Sequence, residues 1–130
     1  MAVVLLDTTV LIDVLRGRPV VERLRLMARQ GDVAATSPVN VEEVVRGLRR
    51  AEASAVDALF DGLLVVPLDR AAGERAGRWR RDFAARGTTL SQADCLVAAA
   101  ALAAGGRVAT GNPRDFPMAE VAVEHWPVGR

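Results

Sequence analysis

The chain has 130 residues, with 17 basic and 16 acidic side chains, a net charge of +1, one histidine and one cysteine. That length suits one domain spanning residues 1–130, and 51% apolar residues can form a core without disulfide or metal staples. Every basic residue is arginine, which excludes a Walker A lysine and a Schiff base; a lone His125 excludes multi-histidine metal sites, and a lone Cys95 excludes CxxC zinc sites and an intramolecular disulfide.

Ala2–Leu6 is a continuous apolar run ending at Asp7 and reads as a buried parallel strand. Thr8–Arg16 reads as a helix stopped by Gly17 and Pro19. Val20–Arg29 has apolar residues at helical spacing, and Val33–Thr36 is a second short strand. Ser37-Pro38 pairs an N-cap with proline at the first helical position, opening a helix to about Arg50; another runs from about Glu52 to Asp61. Leu63–Pro67 reads as a third buried strand. Asp69 caps a long helix ending near Gly87, and Thr89–Ser91 leads into an alanine-rich helix ending at Gly105-Gly106. Arg107–Ala109 is a fourth strand, followed by a plain loop at Thr110–Pro113, and Val121–Val123 suggests an edge strand.

Strands alternating with helices predict an α/β fold, a mainly parallel sheet of four to five strands flanked by helices in three layers. No run of roughly 18 apolar residues is present, so no membrane span is expected. The apolar start lacks a basic n-region and a cleavage site, so it reads as a strand and not a signal peptide. The single cysteine suits a reducing, cytoplasmic setting.

Ligands of parallel sheets bind beyond the carboxyl ends of the strands. Asp7 ends the first strand, Glu42 and Glu43 lie in the first turns after the second, Asp94 starts the helix running toward the fourth, and Asn112 and Asp115 follow that strand. Two unit charges about 4 Å apart repel by about 4 kcal/mol at an effective dielectric of about 20, so acids converging there call for a cation. Carboxylates without histidine or cysteine favour Mg²⁺ or Mn²⁺, which can activate water and neutralise charge on a phosphoryl group. Arginine in quantity suits bidentate phosphate contacts. Metal beside arginine therefore suggests phosphodiester cleavage.

Each acid also has a simpler role open to it. Asp7 can cap the following helix. Asp94 fits the third place of a Ser91-x-x-Asp94 capping box, although Leu90, Asp94, Val97 and Ala101 share a stripe that turns Asp94 inward. Val41, Val44, Val45 and Leu48 mark the core face of their helix, and spacing alone does not choose between Glu42 and Glu43. Asp115 is an ordinary turn residue and Asp13 a surface one. Ala72, Ala76, Trp79 and Phe83 read as core, with Glu74, Arg78 and Asp82 an outer i, i+4 charge chain. Cys95 and His125 read as structural.

Four segments in order resemble the PIN-domain family, specifically its VapC-type toxin ribonucleases: LLDTTVLIDVLRG (Leu5–Gly17), TSPVNVEEVVRGL (Thr36–Leu48), Gln92-Ala93-Asp94 entering the alanine-rich helix, and VATGNPRDF (Val108–Phe116). The resemblance implies that Asp7, Glu43 (not Glu42) and Asp94 hold the metal, with Asp115 or Asn112 in the variable fourth position. It also implies that Thr8 and Asn112 line the site. Asn40 departs from the usual Thr or Ser and bears on a small polar contact only. By the same resemblance the expected cofactor is Mg²⁺, with Mn²⁺ as a substitute, and the expected activity is RNA endonuclease. The expected partners are RNA, a VapB-type antitoxin and a second copy of the chain. The rival is a PIN-fold module that binds RNA or antitoxin without cutting. A receiver-like or phosphatase-like site is disfavoured because both typically need lysine.

Overall fold

The computed structural model describes residues 1–129. Five parallel strands form one sheet in the order β3-β2-β1-β4-β5. They are β1 (Val3–Leu6), β2 (Val33–Thr36), β3 (Leu64–Val65), β4 (Arg107–Thr110) and β5 (Ala122–His125). The helices are α1 (Thr8–Leu15), α2 (Val20–Arg29), α3 (Pro38–Arg46), α4 (Ala53–Asp61), α5 (Arg70–Ala85) and α6 (Gln92–Ala103). Among the described residues no helix is long and apolar enough to cross a membrane.

The central strand explains the layering. Successive β1 side chains point to opposite faces. Leu5 enters a core with α5 and α6, built on Trp79, Val97, Ala98 and Phe116. Val4 and Leu6 enter a second core with α1, α2 and α4, built on Val10, Leu11, Val56 and Trp126. All three β1 residues are fully buried. Each is worth about 1.5–3 kcal/mol relative to exposure, so an uninterrupted apolar run is what a strand covered on both faces requires. At the turn into β4, a Cβ on Gly106 would stand 2.4 Å from the Val3 carbonyl oxygen, so only glycine lets the chain pass there.

Several local expectations are corrected. Leu63–Pro67 is not a buried strand: only Leu64 and Val65 pair, and they are 50% and 41% exposed, because β3 is a sheet edge. Helix α3 ends at Arg46 and not Arg50; Gly47 is its C-cap and a 3-10 turn follows at Arg50–Glu52. Its buried stripe is Asn40 and Val44, while Val45 is half exposed, since the helix leans on α1 and α6. Asp13 is not on the surface but 3% exposed, paired with Arg18 at 3.1 Å. The outer chain on α5 is Arg70–Glu74–Arg78, and Asp82 pairs with Arg81. The loop after β4 contains a 3-10 turn, Pro113–Asp115. His125 is exposed on β5, and its carbonyl accepts from Arg23.

Candidate active site

The chain leaves β1 toward β2 on one side, and β4 lies on the other, so the β1/β4 boundary is where the strand order reverses. A crevice at the carboxyl edge is expected at such a point. Asp7 stands there, one residue beyond the paired Leu6 and Ala109, and Thr110 ends β4 beside it.

Asp7 both caps α1 and faces the crevice. Its Oδ1 accepts from the Thr8 amide at 2.6 Å. Its Oδ2 accepts from the Thr110 hydroxyl at 2.7 Å and the Thr9 hydroxyl at 3.4 Å. The side chain is nearly buried, and burial pushes its carboxyl above the ordinary 3.8. The Thr110 hydroxyl and the Thr8 amide oppose that rise, and the charge of Glu43 adds to it.

Thr8 ties Asp7 to Glu43. Its hydroxyl donates to Glu43 Oε1 at 2.8 Å and accepts from Asn40 Nδ2 at 3.1 Å. The Asn40 Oδ1 in turn accepts from the Ser37 amide at 3.2 Å and hydroxyl at 2.7 Å. The α3 capping box thus also aims the Thr8 hydroxyl at Glu43. Asn40, the residue that departed from the usual Thr or Ser, keeps a polar contact here. Glu42 points away and pairs with Arg46 on the exposed side.

Asp94 is half-buried at the start of α6, where the Ser91 hydroxyl accepts its amide at 3.0 Å. The reciprocal bond of a capping box, from the Ser91 amide to the Asp94 carboxylate, does not form. Burial pushes the Asp94 carboxyl up; the Ser91 hydroxyl opposes this, and the charges of Asp115, Asp7 and Glu43 add to it. The four acids therefore share one electrostatic neighbourhood. Asp115 is exposed, and so is Asn112, whose amide donates to the Thr110 hydroxyl at 3.0 Å. Among the described residues no three acidic, histidine or cysteine side chains stand close enough to chelate a cation as placed. Neighbouring Cys95 is buried, and its thiol is pushed up by burial and by Asp94.

Among the described residues the crevice offers oxygen donors, and the neighbouring negative charges add to the raised proton affinity of Asp7 and Asp94. A hard divalent cation relieves that repulsion and accepts such donors; a soft, thiolate-seeking ion does not suit. Sequence reasoning missed Thr110 and Thr9 as parts of this site, and it gave Asn40 only a small polar contact without the link to Ser37 and Thr8. The available signal for Thr110 was positional: it closes the strand beside the one closed by Asp7.

Comparison with known proteins bears on the family and the fold. Residues 4–123 match the PIN domain model. The chain is similar to ribonuclease VapC19 of Mycobacterium tuberculosis, 30% identical over 88% of this chain and 92% of the relative. Ribonuclease VapC10 of the same organism is 32% identical over 90% of this chain and 88% of the relative. The solved structure of VapBC2 from Rickettsia felis, bound to a DNA fragment from its promoter, superposes with a TM-score of 0.84 at 20% identity, covering 95% of this chain and 98% of that one.

Proposed function

Because the chain belongs to the PIN-domain family, and within it groups with the VapC ribonucleases, we propose that it is the toxin endoribonuclease of a toxin–antitoxin pair, dependent on Mg²⁺ with Mn²⁺ as a substitute. The observation that carries this reading is the shared electrostatic neighbourhood of Asp7, Glu43, Asp94 and Asp115 at the reversal point of the sheet.

In this reading Asp7, Glu43 and Asp94 hold the cation, and Asp115 takes the fourth position because its charge acts on Asp94. Asn112, exposed like Asp115, meets the site through its backbone amide, which donates to the Thr110 hydroxyl. When bound, a divalent cation supplies Lewis acidity toward water and the phosphoryl oxygens. The protein's own contribution is orientation. Thr8, Thr9 and Thr110 fix the Asp7 and Glu43 carboxylates before substrate arrives, so little reorganisation remains at the reacting centre.

The RNA backbone lies along a groove between α1 and α3 that opens beside Glu43 and is lined by Arg16, Gly47 and Arg49. Arg18, Arg23, Arg25 and Arg46 are tied into ion pairs, whereas Arg16 and Arg49 have none among the described residues. Unpaired guanidinium groups beside an acidic site suit phosphate. A VapB-type antitoxin and a second copy of the chain are the partners this membership implies, and the cytoplasm the place of action.

Expression in a bacterial host tests the reading. Growth arrest by the parent, relieved by Asp7→Asn and by a co-expressed antitoxin, is expected. Equal arrest by parent and Asp7→Asn would move the assignment to a non-cutting binding module.

A further inference from the structure

Asp13 has no part in the acid cluster, yet it is a buried carboxylate, and its partners lead back to Asp7. Its Oδ1 pairs with Arg18 at 3.1 Å, and its Oδ2 accepts from the Gly129 amide at 2.8 Å. That second bond fastens the segment Trp126–Gly129 across α1. Trp126, 1% exposed, donates its amide to the Thr110 carbonyl at 2.9 Å. Val128 lies against Gly111 so closely that a Cβ on Gly111 would stand 2.6 Å from a Val128 methyl and 3.3 Å from the Thr9 hydroxyl.

The segment therefore presses on the Thr110–Asn112 turn, and that turn decides which way two hydroxyl protons point. The Gly111 amide donates to Thr9 Oγ1 at 3.0 Å, and the Asn112 amide donates to Thr110 Oγ1 at 3.0 Å. Each hydroxyl has one proton to give and accepts through its lone pairs. With an amide occupying the acceptor side, both protons are directed at Asp7 Oδ2.

We propose that Asp13 is a positioning residue: by anchoring Trp126–Gly129 it holds the Gly111 and Asn112 amides on the Thr9 and Thr110 hydroxyls, and so fixes the Asp7 carboxylate. The consequence for catalysis rests on the nuclease reading above; the consequence for the turn does not. Asp13→Ala removes the anchor, and Val128→Gly removes the contact without touching a helix or strand. Asp13→Asn keeps an acceptor for the Gly129 amide.

Amide hydrogen exchange of the metal-free protein reads the turn directly. Gly111 and Asn112 are expected to exchange on the order of tenfold faster in Asp13→Ala and Val128→Gly, with Asp13→Asn close to the parent. In parallel, Mn²⁺ is expected to bind more weakly to the two loosened variants. Their kcat on RNA should fall by about tenfold, with KM little changed. Unchanged exchange in a folded Val128→Gly protein would overturn the proposal, whatever Asp13→Ala does to folding. Loosened exchange with unaltered Mn²⁺ affinity would overturn the link to Asp7. A parent protein that neither binds Mn²⁺ nor cuts RNA, while its variants still show loosened exchange, would instead count against the nuclease reading alone.

Discussion

At the scale of single residues, burial works against the charged form of two of the site's carboxylates and neighbouring hydroxyls oppose this. Asp7 and Asp94 are both raised above their ordinary value, chiefly by burial. For an acid raised in the folded state, the native protein holds more protons than the unfolded chain in the pH window from the ordinary 3.8 up to the raised value. Stability contributed by these groups therefore falls as pH rises through that window. The metal-free protein should lose less stability on acidification than its Asp94→Asn variant, as read by urea unfolding between pH 7 and about 4. A steeper loss in the parent would contradict the assignment. Asn40 has a larger role than the small polar contact expected of it. It is fully buried and joins Ser37, Thr8 and, through Thr8, Glu43. Asn40→Ala strands the Ser37 amide and frees the Thr8 hydroxyl. A loss of about 1–3 kcal/mol is expected by urea unfolding, with reduced RNA cleavage. Asp7 and Asp94 were readable as acids near strand ends, because chain order places them there, whereas spacing left Glu43 level with Glu42 and only the family resemblance chose it. Thr9 and Thr110 were not readable, because a hydroxyl carries no local signature and takes its role from a neighbour far away in the chain.

At the scale of elements, residues that start a helix also aim the chemistry. Ser37 caps α3 and accepts the Asn40 amide, and Ser91 caps α6 and accepts the Asp94 amide. Ser37 is fully buried whereas Ser91 is exposed. Ser37→Ala should therefore cost about 2 kcal/mol and Ser91→Ala about 0.5–1 kcal/mol in urea unfolding. Equal costs would mean that the buried network around Asn40 adds nothing to the cap. Helix α2 and strand β2 lie where spacing puts them, at Val20–Arg29 and Val33–Thr36. The errors at β3 and at Val45 have one physical origin. An apolar run states that its residues prefer burial, not whether a layer covers them. At β1 both faces are covered, but at β3 the sheet ends, and Leu64 and Val65 stay half exposed. In α3 the apolar pattern placed Val44 and Val45 in the core; Val44 is buried there, but Val45 is half exposed and Asn40 is buried, because a polar network lies beneath that helix.

At the scale of the whole molecule, the sheet order brings together acids separated by most of the chain. Asp7 and Thr110 meet because β1 and β4 are neighbours; the charge of Glu43 reaches Asp94 because α3 and α6 both start at the same edge. Convergence stores repulsion that a cation relieves. Mg²⁺ or Mn²⁺ should therefore raise the melting temperature of the parent by the linkage RT ln(1 + [L]/Kd), about 2.7 kcal/mol at a hundredfold excess over Kd, and do so less at acid pH, where protons compete. Asp94→Asn should show little of this shift. The most direct measurement is cleavage of total cellular RNA by the purified, antitoxin-free protein, with Mg²⁺ or Mn²⁺ and again with EDTA, beside Asp94→Asn. Discrete fragments that need the metal and fall by about a hundredfold or more in Asp94→Asn are the predicted result. Equal cleavage by parent and Asp94→Asn, or by parent with and without EDTA, would contradict the carboxylate cluster as the seat of the reaction.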